Sequence, residues 1–321
     1  MLVVQDAFHN TDLPRGGVAA IGNFDGLHRG QQAVLARVRE RAAAHATSSV
    51  AITFEPHPLA VLRPEVAPPR LTTPRQKESL LEEAGVDVVL VVRFTAEFAR
   101  TPAQAFVADF LHRRLGVVEV YVGSSFVFGH QREGDLDLLR GLGAELGFAA
   151  HGVEQVGWRG ERISSTRIRS ALLDGRVEDA LEMLGRPYEL GGTVVRGDRM
   201  GQKLGWPTIN LATDEQVVPM NGVYACSVGL PAIPASFDAV TNIGTRPTVY
   251  ENYQRVVESH VLDFSSDVYG QRVELRFHKR LREEKIFPSV MDLSSQIRRD
   301  VETTREFFAA RRRLDQEASG A

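Results

Sequence analysis

The chain has 321 residues, of which 43% are hydrophobic and 25% charged, so it is long enough to bury two apolar cores. Its formal net charge of −3 argues against a broad nucleic-acid-binding surface, which needs clustered basic residues. The single cysteine, Cys226, excludes an intrachain disulfide and indicates a reducing compartment, which we expect to be the cytoplasm. The first residues do not resemble a signal peptide, and no run approaches the roughly 20 apolar residues of a membrane span, so no membrane association is expected.

The first half of the chain alternates strand and helix signals. Short apolar runs predict strands at 18–21, 49–54, 86–94, 117–122 and 149–156. Amphipathic or proline-initiated segments predict helices at 29–45, 74–84, 102–115 and 134–146. This alternation predicts an α/β domain whose mostly parallel sheet is covered on both faces. Because such sheets bind ligands beyond the carboxyl ends of their strands, we expect the binding loops to follow Ile21, Phe54 and Val122.

The pattern changes after residue 184, where two short helical segments end. Strand signals then dominate, at 192–196, 222–228, 237–243, 255–264 and 271–277. The turn residues between them predict an antiparallel barrel or sandwich. A terminal helix is predicted from about 289 to 313, and the polar residues 314–321 are predicted to be frayed. We therefore expect two domains, at 1–184 and 185–313, followed by a short tail.

Residues 22–30, GNFDGLHRG, join the first predicted strand to the first long helix. Glycines such as Gly22 and Gly30 let a backbone approach a ligand closely. The helix N-terminus offers unpaired N–H groups and a positive dipole end, and His28 can donate a hydrogen bond to a phosphate oxygen there. The segment is therefore a candidate phosphate site, and the alternative is a tight turn capped by Asp25.

A second segment rich in hydroxyl groups, ISSTRIR at 163–169, begins a predicted helix. The consecutive hydroxyls of Ser165 and Thr166, together with the guanidinium of Arg169, suit a polyphosphate. The alternative is an ordinary Ser/Thr helix N-cap without a ligand.

In the second half, residues 197–210 read GDRMGQKLGWPTIN, a glycine-punctuated loop followed by an extended segment. The spacing is neither that of a P-loop nor that of a protein-kinase loop, so the residues alone leave phosphate binding and plain flexibility as alternatives. Thr208 and Asn210 alternate around Ile209, which directs both polar groups to one side of an extended chain. Glu258 lies in a strand-like run, where the alternative is a carboxylate on an exposed face.

These segments resemble the nucleotidylyltransferase superfamily, whose signatures are GxFDGxHxGH after the first strand and ISSTxxR near the end of the domain. More narrowly, the chain resembles the bifunctional bacterial riboflavin kinase/FAD synthetase family, over nearly its whole length. The supporting segments are TFEPHP (53–58), VGSSFVFG (122–129), PTIN (207–210), NGVY (221–224), NIGTRPT (242–248), DVYG (267–270) and LREEKIF (281–287). The resemblance implies a Rossmann-like nucleotidylyltransferase domain, followed by an antiparallel β-barrel riboflavin kinase domain with a terminal helix.

The resemblance also implies an enzyme that phosphorylates riboflavin to FMN and then adenylylates FMN to FAD with release of pyrophosphate. ATP is the implied co-substrate and Mg²⁺ the implied cofactor. Riboflavin, FMN and ATP are the implied partners, with no nucleic acid and no obligatory protein partner. In the N-terminal domain, His28 is implied as the catalytic residue at the α-phosphate. The implied ATP- and phosphate-binding residues are Gly22, Asn23, Asp25, Gly30, Ser165, Thr166 and Arg169.

In the C-terminal domain, the resemblance implies that Glu258 is the general base for the riboflavin 5′-hydroxyl. Thr208 and Asn210 are the implied ligands of Mg²⁺ and the ATP phosphates. The implied ATP-binding residues of the glycine-rich loop are Gly197, Gly201, Lys203 and Gly205. The implied flavin contacts are Phe126 in the N-terminal domain and Arg282 and Phe287 in the C-terminal domain.

Two residues of the N-terminal domain depart from the family pattern. Gln31 replaces a second histidine, and a glutamine can donate a hydrogen bond but cannot become cationic. Ser125 replaces an Asn or Asp in the loop after the predicted strand 117–122. Two alternatives therefore stay open: a riboflavin kinase whose N-terminal domain is weakened by these changes, and a non-catalytic module that binds flavin nucleotides. The intact Thr208, Asn210 and Glu258 argue against the second alternative.

Overall fold

The computed structural model describes residues 1–197, 201, 205–230, 233–247 and 253–319. It divides into two compact units, Met1–Ser165 and Thr166–Ala321. The domain boundary predicted at residue 184 lies within the second of these units. Among the described residues, no helix combines the length and the apolar character that crossing a membrane requires.

The first unit is built on a six-stranded sheet in the order β1-β4-β3-β2-β5-β6, in which every neighbouring pair is parallel. The strands are β1 Leu2–Val4, β2 Val18–Ile21, β3 Ser49–Glu55, β4 Val88–Arg93, β5 Glu119–Gly123 and β6 Ala149–Val153. The predicted parallel α/β sheet is thus confirmed. Strand β1 is absent from the sequence-based prediction because three residues are too few to show a period.

Helices surround this sheet. They are α1 Arg29–Ala44, α2 Pro58–Leu62, α3 Pro74–Glu83, α4 Ala103–Ala105, which continues as the π-helix Phe106–Arg114, and α5 Leu136–Leu146. Alternate residues of β2 enter two different apolar clusters, Ala19 and Ile21 in one and Val18 and Ala20 in the other. Because successive strand residues point to opposite faces, the two clusters cover the two faces of the sheet. A short hairpin, β7 Gly157–Trp158 and β8 Glu161–Arg162, follows β6.

The second unit contains a closed antiparallel barrel in the order β10-β13-β12-β11-β14-β9, with β9 paired back to β10. Of the predicted barrel and sandwich, the barrel is therefore correct. The strands are β9 Tyr188–Val195, β10 Ile209–Thr213, β11 Gly222–Leu230, β12 Ile233–Pro247, β13 Tyr253–Val261 and β14 Arg272–Arg282. Helices α6 Ser165–Leu173 and α7 Val177–Leu184 precede the barrel, and α8 Val290–Ser319 follows it.

Helix α8 continues beyond residue 313, where the sequence predicts a frayed tail, and ends at Ser319. The added turns carry Leu314, Gln316 and Glu317, all of them good helix formers, so intrinsic propensity extends the helix where composition alone indicates fraying.

Candidate active sites

Three loops of the first unit leave the same edge of the sheet. Strands β3, β2 and β5 are neighbours and parallel, so the loops that follow them begin side by side at their carboxyl ends. Two of these loops are in contact, since the Asn23 side-chain amide lies 3.3 Å from His57 Nε2. Thr53 Oγ1 also donates to the Asn23 carbonyl at 3.2 Å. The predicted binding loops after β2 and β3 are therefore in contact at the carboxyl ends of these strands.

The turn after β2 has an unusual backbone. Phe24, Gly26 and Leu27 have φ angles of +47°, +86° and +38°. The left-handed region is costly for residues that carry a side chain, and it persists only where surrounding structure imposes it. Phe24 and Leu27 are each only 2% exposed and belong to the same apolar cluster. Burial of these two side chains therefore holds the turn in its strained shape.

Asp25 is buried within this turn, and its carboxylate binds protein groups. It accepts from the Leu71 and Thr72 backbone N–H groups, each at 3.0 Å, and from Thr72 Oγ1 at 3.2 Å. Thr72 Oγ1 in turn accepts from the Gly26 backbone N–H at 3.1 Å. Ser165 Oγ donates to the Asp25 carbonyl at 2.8 Å, which links the second predicted motif to the first. Asp25 therefore fixes the shape of the turn.

His28 caps α1 together with Gln31. The Gln31 backbone N–H donates to His28 Nδ1 at 3.3 Å, and the His28 backbone N–H donates to Gln31 Oε1 at 3.1 Å. This reciprocal pattern is a capping box in which histidine takes the place of Ser or Thr. Because Nδ1 accepts a hydrogen bond, the neutral ring carries its proton on Nε2. A Cβ at Gly30 would lie 3.2 Å from His28 Nδ1, so the glycine leaves room for the ring.

The remaining predicted residues of this half lie in three places. Gly22 donates its backbone N–H to Ile52 O at 3.0 Å, which continues the β2–β3 pairing. Phe126, in the loop after β5, stacks on Phe128 with ring centroids 5.4 Å apart. Thr166 and Arg169 follow Ser165 in α6 and belong to the second unit.

Ser125, one of the two departures from the family pattern, is exposed in the loop after β5. Its Oγ accepts from the Arg162 guanidinium at 3.3 Å. The neighbouring Ser124 Oγ accepts from Gln155 Nε2 at 3.2 Å. The loop after β5 is therefore connected by side-chain hydrogen bonds to the segments that follow β6.

Three polar side chains of the barrel form one row across neighbouring strands. Asn210 of β10 lies directly opposite Glu258 of β13, and Glu258 lies directly opposite Asn242 of β12. Side chains of directly opposed residues share a face, with Cβ atoms about 4.5–5.5 Å apart. Val257 and Ser259, the residues on either side of Glu258, are 2% and 0% exposed and face the barrel interior, so the row lies on the outer face.

Asn242 is a member of this row that the sequence-based prediction does not single out. The feature of the sequence that could have pointed to Asn242 is its place at the start of the NIGTRPT segment. Only the strand register, which the sequence does not give, places it beside Glu258. Asn210, Glu258 and Asn242 together offer amide and carboxylate oxygens along one line.

Two glycines of the predicted phosphate loop lie close to Asn210 and Thr208. A Cβ at Gly197 would lie 2.3 Å from Asn210 Nδ2, and one at Gly201 would lie 3.4 Å from Thr208 Oγ1. Gly201 also accepts the Trp206 backbone N–H at 2.8 Å. Gly205 has a φ of +80°, which favours glycine. Lys203 falls outside the residues that the structure describes.

Arg282 and Phe287, the two predicted flavin contacts of the barrel, are close together. The Arg282 guanidinium carbon lies 5.6 Å from the Phe287 ring centroid. The same guanidinium donates to both carboxylate oxygens of Asp300 in α8, at 2.8 and 3.1 Å. Both partners are largely buried, with side chains 15% and 6% exposed. Arg282 therefore anchors the loop after β14 to α8.

The donor atoms near Glu258 suit a hard cation. In the parts of the chain that the structure describes, no group of three or more His, Cys, Asp or Glu side chains is placed to hold a metal. Thr208, Asn210 and Glu258 instead offer a hydroxyl, an amide and a carboxylate oxygen. Mg²⁺ is typically bound by one or two protein oxygens together with water and substrate phosphates, so this donor set fits it.

The chain is similar to proteins of known activity over both units. A family model described as FAD synthetase matches residues 10–167, and one described as riboflavin kinase matches residues 184–308. A bifunctional riboflavin kinase/FMN adenylyltransferase from Escherichia coli (strain K12) is 41% identical over 310 residues, covering 96% of this chain and 98% of the relative. A protein of the same description from Pseudomonas fluorescens is 41% identical over 295 residues, covering 92% and 94%.

A solved structure also matches nearly the whole chain. A protein from Streptococcus pneumoniae described as a macrolide-efflux protein superimposes with a TM-score of 0.85 at 27% identity, covering 95% of this chain and 99% of its own. The similarity in sequence and in structure therefore extends across both units.

Proposed function

Because the chain belongs to the bifunctional riboflavin kinase/FMN adenylyltransferase family, we propose that it converts riboflavin to FMN on the barrel and FMN to FAD on the first unit. ATP is the second substrate of both reactions. The observation that carries the kinase assignment is the pairing of Asn210 with Glu258 across β10 and β13. It supports a site in which a phosphate-binding amide and a catalytic carboxylate act on the same reacting group.

In the kinase reaction, Glu258 accepts the proton of the riboflavin 5′-hydroxyl as that oxygen attacks the γ-phosphorus of ATP. The bond between the γ-phosphorus and the β–γ bridging oxygen breaks, and ADP leaves. Thr208 and Asn210 would hold Mg²⁺ and bind the phosphates, and the absence of side chains at Gly197 and Gly201 leaves room for Asn210 and Thr208. Mg²⁺ held by these residues would neutralise charge on the phosphate oxygens. The loop that Arg282 anchors to α8 covers the flavin ring, with Phe287 as its apolar contact.

In the adenylyl transfer, a phosphate oxygen of FMN attacks the α-phosphorus of ATP, and the bond to the β-phosphate breaks to release pyrophosphate. His28 Nε2–H donates to the α-phosphate, where negative charge develops. The N-terminus of α1 adds the positive end of the helix dipole. Ser165 lies beside the departing phosphates, while Asn23 and Asp25 hold the turn in shape. Positioning and charge stabilisation supply most of the catalysis.

The capping box supports adenylyl transfer despite the departure at Gln31. The glutamine side chain accepts the His28 backbone N–H, and the Gln31 backbone N–H donates to His28 Nδ1, so the ring proton lies on Nε2. The relatives that are 41% identical to this chain are described as bifunctional riboflavin kinase/FMN adenylyltransferases. We therefore favour the bifunctional enzyme over the kinase-only alternative.

The purified chain is tested with riboflavin, ATP and Mg²⁺, and separately with FMN, ATP and Mg²⁺, by chromatography of the flavins. We expect FMN and FAD in the first assay and FAD in the second. Replacement of Glu258 by Gln is expected to lower FMN formation by roughly 10²–10⁴-fold, because it removes the base, while FAD formation from supplied FMN persists. The control, Glu283→Gln, removes an exposed carboxylate from the loop after β14.

Each outcome of this assay decides between functions. FMN as the sole product of the wild type would support the kinase-only alternative. Tight flavin binding without turnover would support the non-catalytic module and overturn both activities. Full kinase activity of Glu258→Gln would remove Glu258 from the role of base.

A further inference from the structure

His260 lies two residues after Glu258 in β13, so both side chains project from the outer face of the barrel. Its Nδ1 is 2.7 Å from the Pro207 carbonyl oxygen. Because a carbonyl oxygen only accepts, Nδ1 carries the proton and donates. Pro207 immediately precedes Thr208, so this hydrogen bond joins the strand that carries Glu258 to the segment that carries Thr208.

This bond lies where the β10–β13 ladder ends. The last residue pair of the ladder on this side is Ile209 with Ser259. The next pair in that register would be Thr208 with His260, and beyond it Pro207 has no N–H to donate. Thr208 is therefore outside the ladder, and the His260 side chain supplies the next connection between the two segments.

The ring of His260 is itself held in place. It meets the Trp206 ring edge to face, with centroids 5.4 Å apart. Trp206 Nε1 donates to Ser294 Oγ of α8 at 3.2 Å, and the Trp206 backbone N–H donates to Gly201 O at 2.8 Å. Trp206 therefore connects His260 to Gly201 of the glycine-rich loop and to α8.

We propose that His260 is a positioning residue of the kinase site, whose Nδ1–H bond to Pro207 O keeps Thr208 aligned with Asn210 and Glu258. The proposal rests on the function proposed above for Thr208 and Glu258. His260 acts through the backbone of its neighbour and takes no part in proton transfer. Its donor survives ring protonation, since Nδ1 carries a proton in both the imidazolium and this neutral tautomer.

Two substitutions separate the hydrogen bond from the ring. His260→Phe keeps a ring against Trp206 and removes the donor, whereas His260→Asn places an amide N–H near the former Nδ1 and removes the ring. For His260→Phe we expect kcat of riboflavin phosphorylation to fall about 10-fold or more and the Mg²⁺ concentration for half-maximal rate to rise, because Thr208 is displaced. For His260→Asn we expect both values within about 3-fold of the wild type, with an unchanged pH profile.

FMN adenylyltransferase activity of the same preparations reports the concentration of the folded first unit and is expected to stay constant, and the melting temperature of the protein reports whether the barrel is folded. The positioning role is overturned if His260→Phe leaves kcat and the Mg²⁺ dependence unchanged. It is equally overturned if His260→Asn is as impaired as His260→Phe. Should His260→Phe lower the melting temperature of the protein, the activity of His260→Asn alone decides the question.

A double-mutant comparison distinguishes this proposal from the function on which it rests. Because His260 acts through Thr208, adding His260→Phe to Thr208→Val should cause little further loss of kinase activity. The positioning role would be refuted if His260→Phe lowered kinase activity in the Thr208→Val background by the same factor as in the wild type. Wild-type kinase activity of Thr208→Val on its own would instead refute the proposed role of Thr208.

Discussion

A methyl group at position 197 tests how closely the glycine-rich loop must approach Asn210, which lies in one row with Glu258 and Asn242. In Gly197→Ala the new Cβ would lie 2.3 Å from Asn210 Nδ2, 2.5 Å from Cγ and 2.7 Å from Oδ1. Ordinary contact begins near 3.4 Å, so the Asn210 side chain must move by about 1 Å. The obstructed atoms are the end of a side chain and not backbone, so the enzyme should fold with Asn210 displaced.

The displacement sets the expected loss of rate. A 1 Å misplacement of a positioning group can cost on the order of 10²-fold, which corresponds to about 2.7 kcal/mol of transition-state stabilisation. We therefore expect kcat/KM for ATP in riboflavin phosphorylation to fall about 100-fold. FAD formation from supplied FMN should be unchanged, since it takes place on the first unit.

The assay follows FMN and FAD by chromatography at saturating riboflavin and varied ATP. The matched control is Gly229→Ala, in strand β11 of the same barrel, where the nearest atom to a new Cβ is Arg276 Nη1 at an ordinary 3.5 Å. The control is expected to keep wild-type kinetics. If Gly197→Ala also keeps them, then Asn210 does not act at the phosphates, and the reasoning from the register of β10 and β13 fails.

Two further predictions concern other parts of the chain. Burial lowers the pKa of His278 to about 4, so the unfolded chain binds a proton at this residue as the pH falls through 6.5, and the contribution of His278 to folding stability should decrease by about 2 kcal/mol between pH 7.5 and 5. Urea denaturation of His278→Gln should show a correspondingly smaller pH dependence, whereas the exposed His112→Gln should behave as the wild type. In the first unit, Gly30→Ala should lower FAD synthesis about 10-fold without changing FMN formation, because its Cβ would push the His28 ring. Gly141→Ala, with open space at its Cβ, is the control, and equal losses in both variants would contradict the explanation.

The alternation of strands and helices in the first unit was predictable because apolar periodicity is a local property of the sequence. The sequence indicates an extended segment around Thr208 and Asn210, but it does not delimit strand β10, since the segment is short and follows a glycine-rich loop and a proline. Its position depends on pairing with β9 and β13, which lie far from it in sequence. Long-range register of this kind is set by packing and closure of the barrel, which a single sequence does not display.

The same distinction applies to the candidate sites. The residue types in the motifs predict Glu258 and His28 as site residues. They do not predict the residues that position these side chains. The family resemblance implies that Asp25 binds ATP or phosphate, whereas in the structure its carboxylate accepts from the backbone N–H groups of Leu71 and Thr72, which are distant in sequence. The capping box was foreseeable in principle, because its two members are three residues apart, although the rule is usually applied to Ser or Thr.

The departure at Gln31 affects the charge of the first site more than its geometry. A histidine at this position could become cationic at the N-terminus of α1, which already carries the positive end of the helix dipole. Such a cation is unfavourable until a phosphate binds, whereas the neutral glutamine is tolerated in both states. Gln31 also supplies the oxygen that accepts the His28 backbone N–H. We infer that this chain relies on the helix N-terminus and His28 for charge stabilisation, so the substitution is compatible with adenylyl transfer.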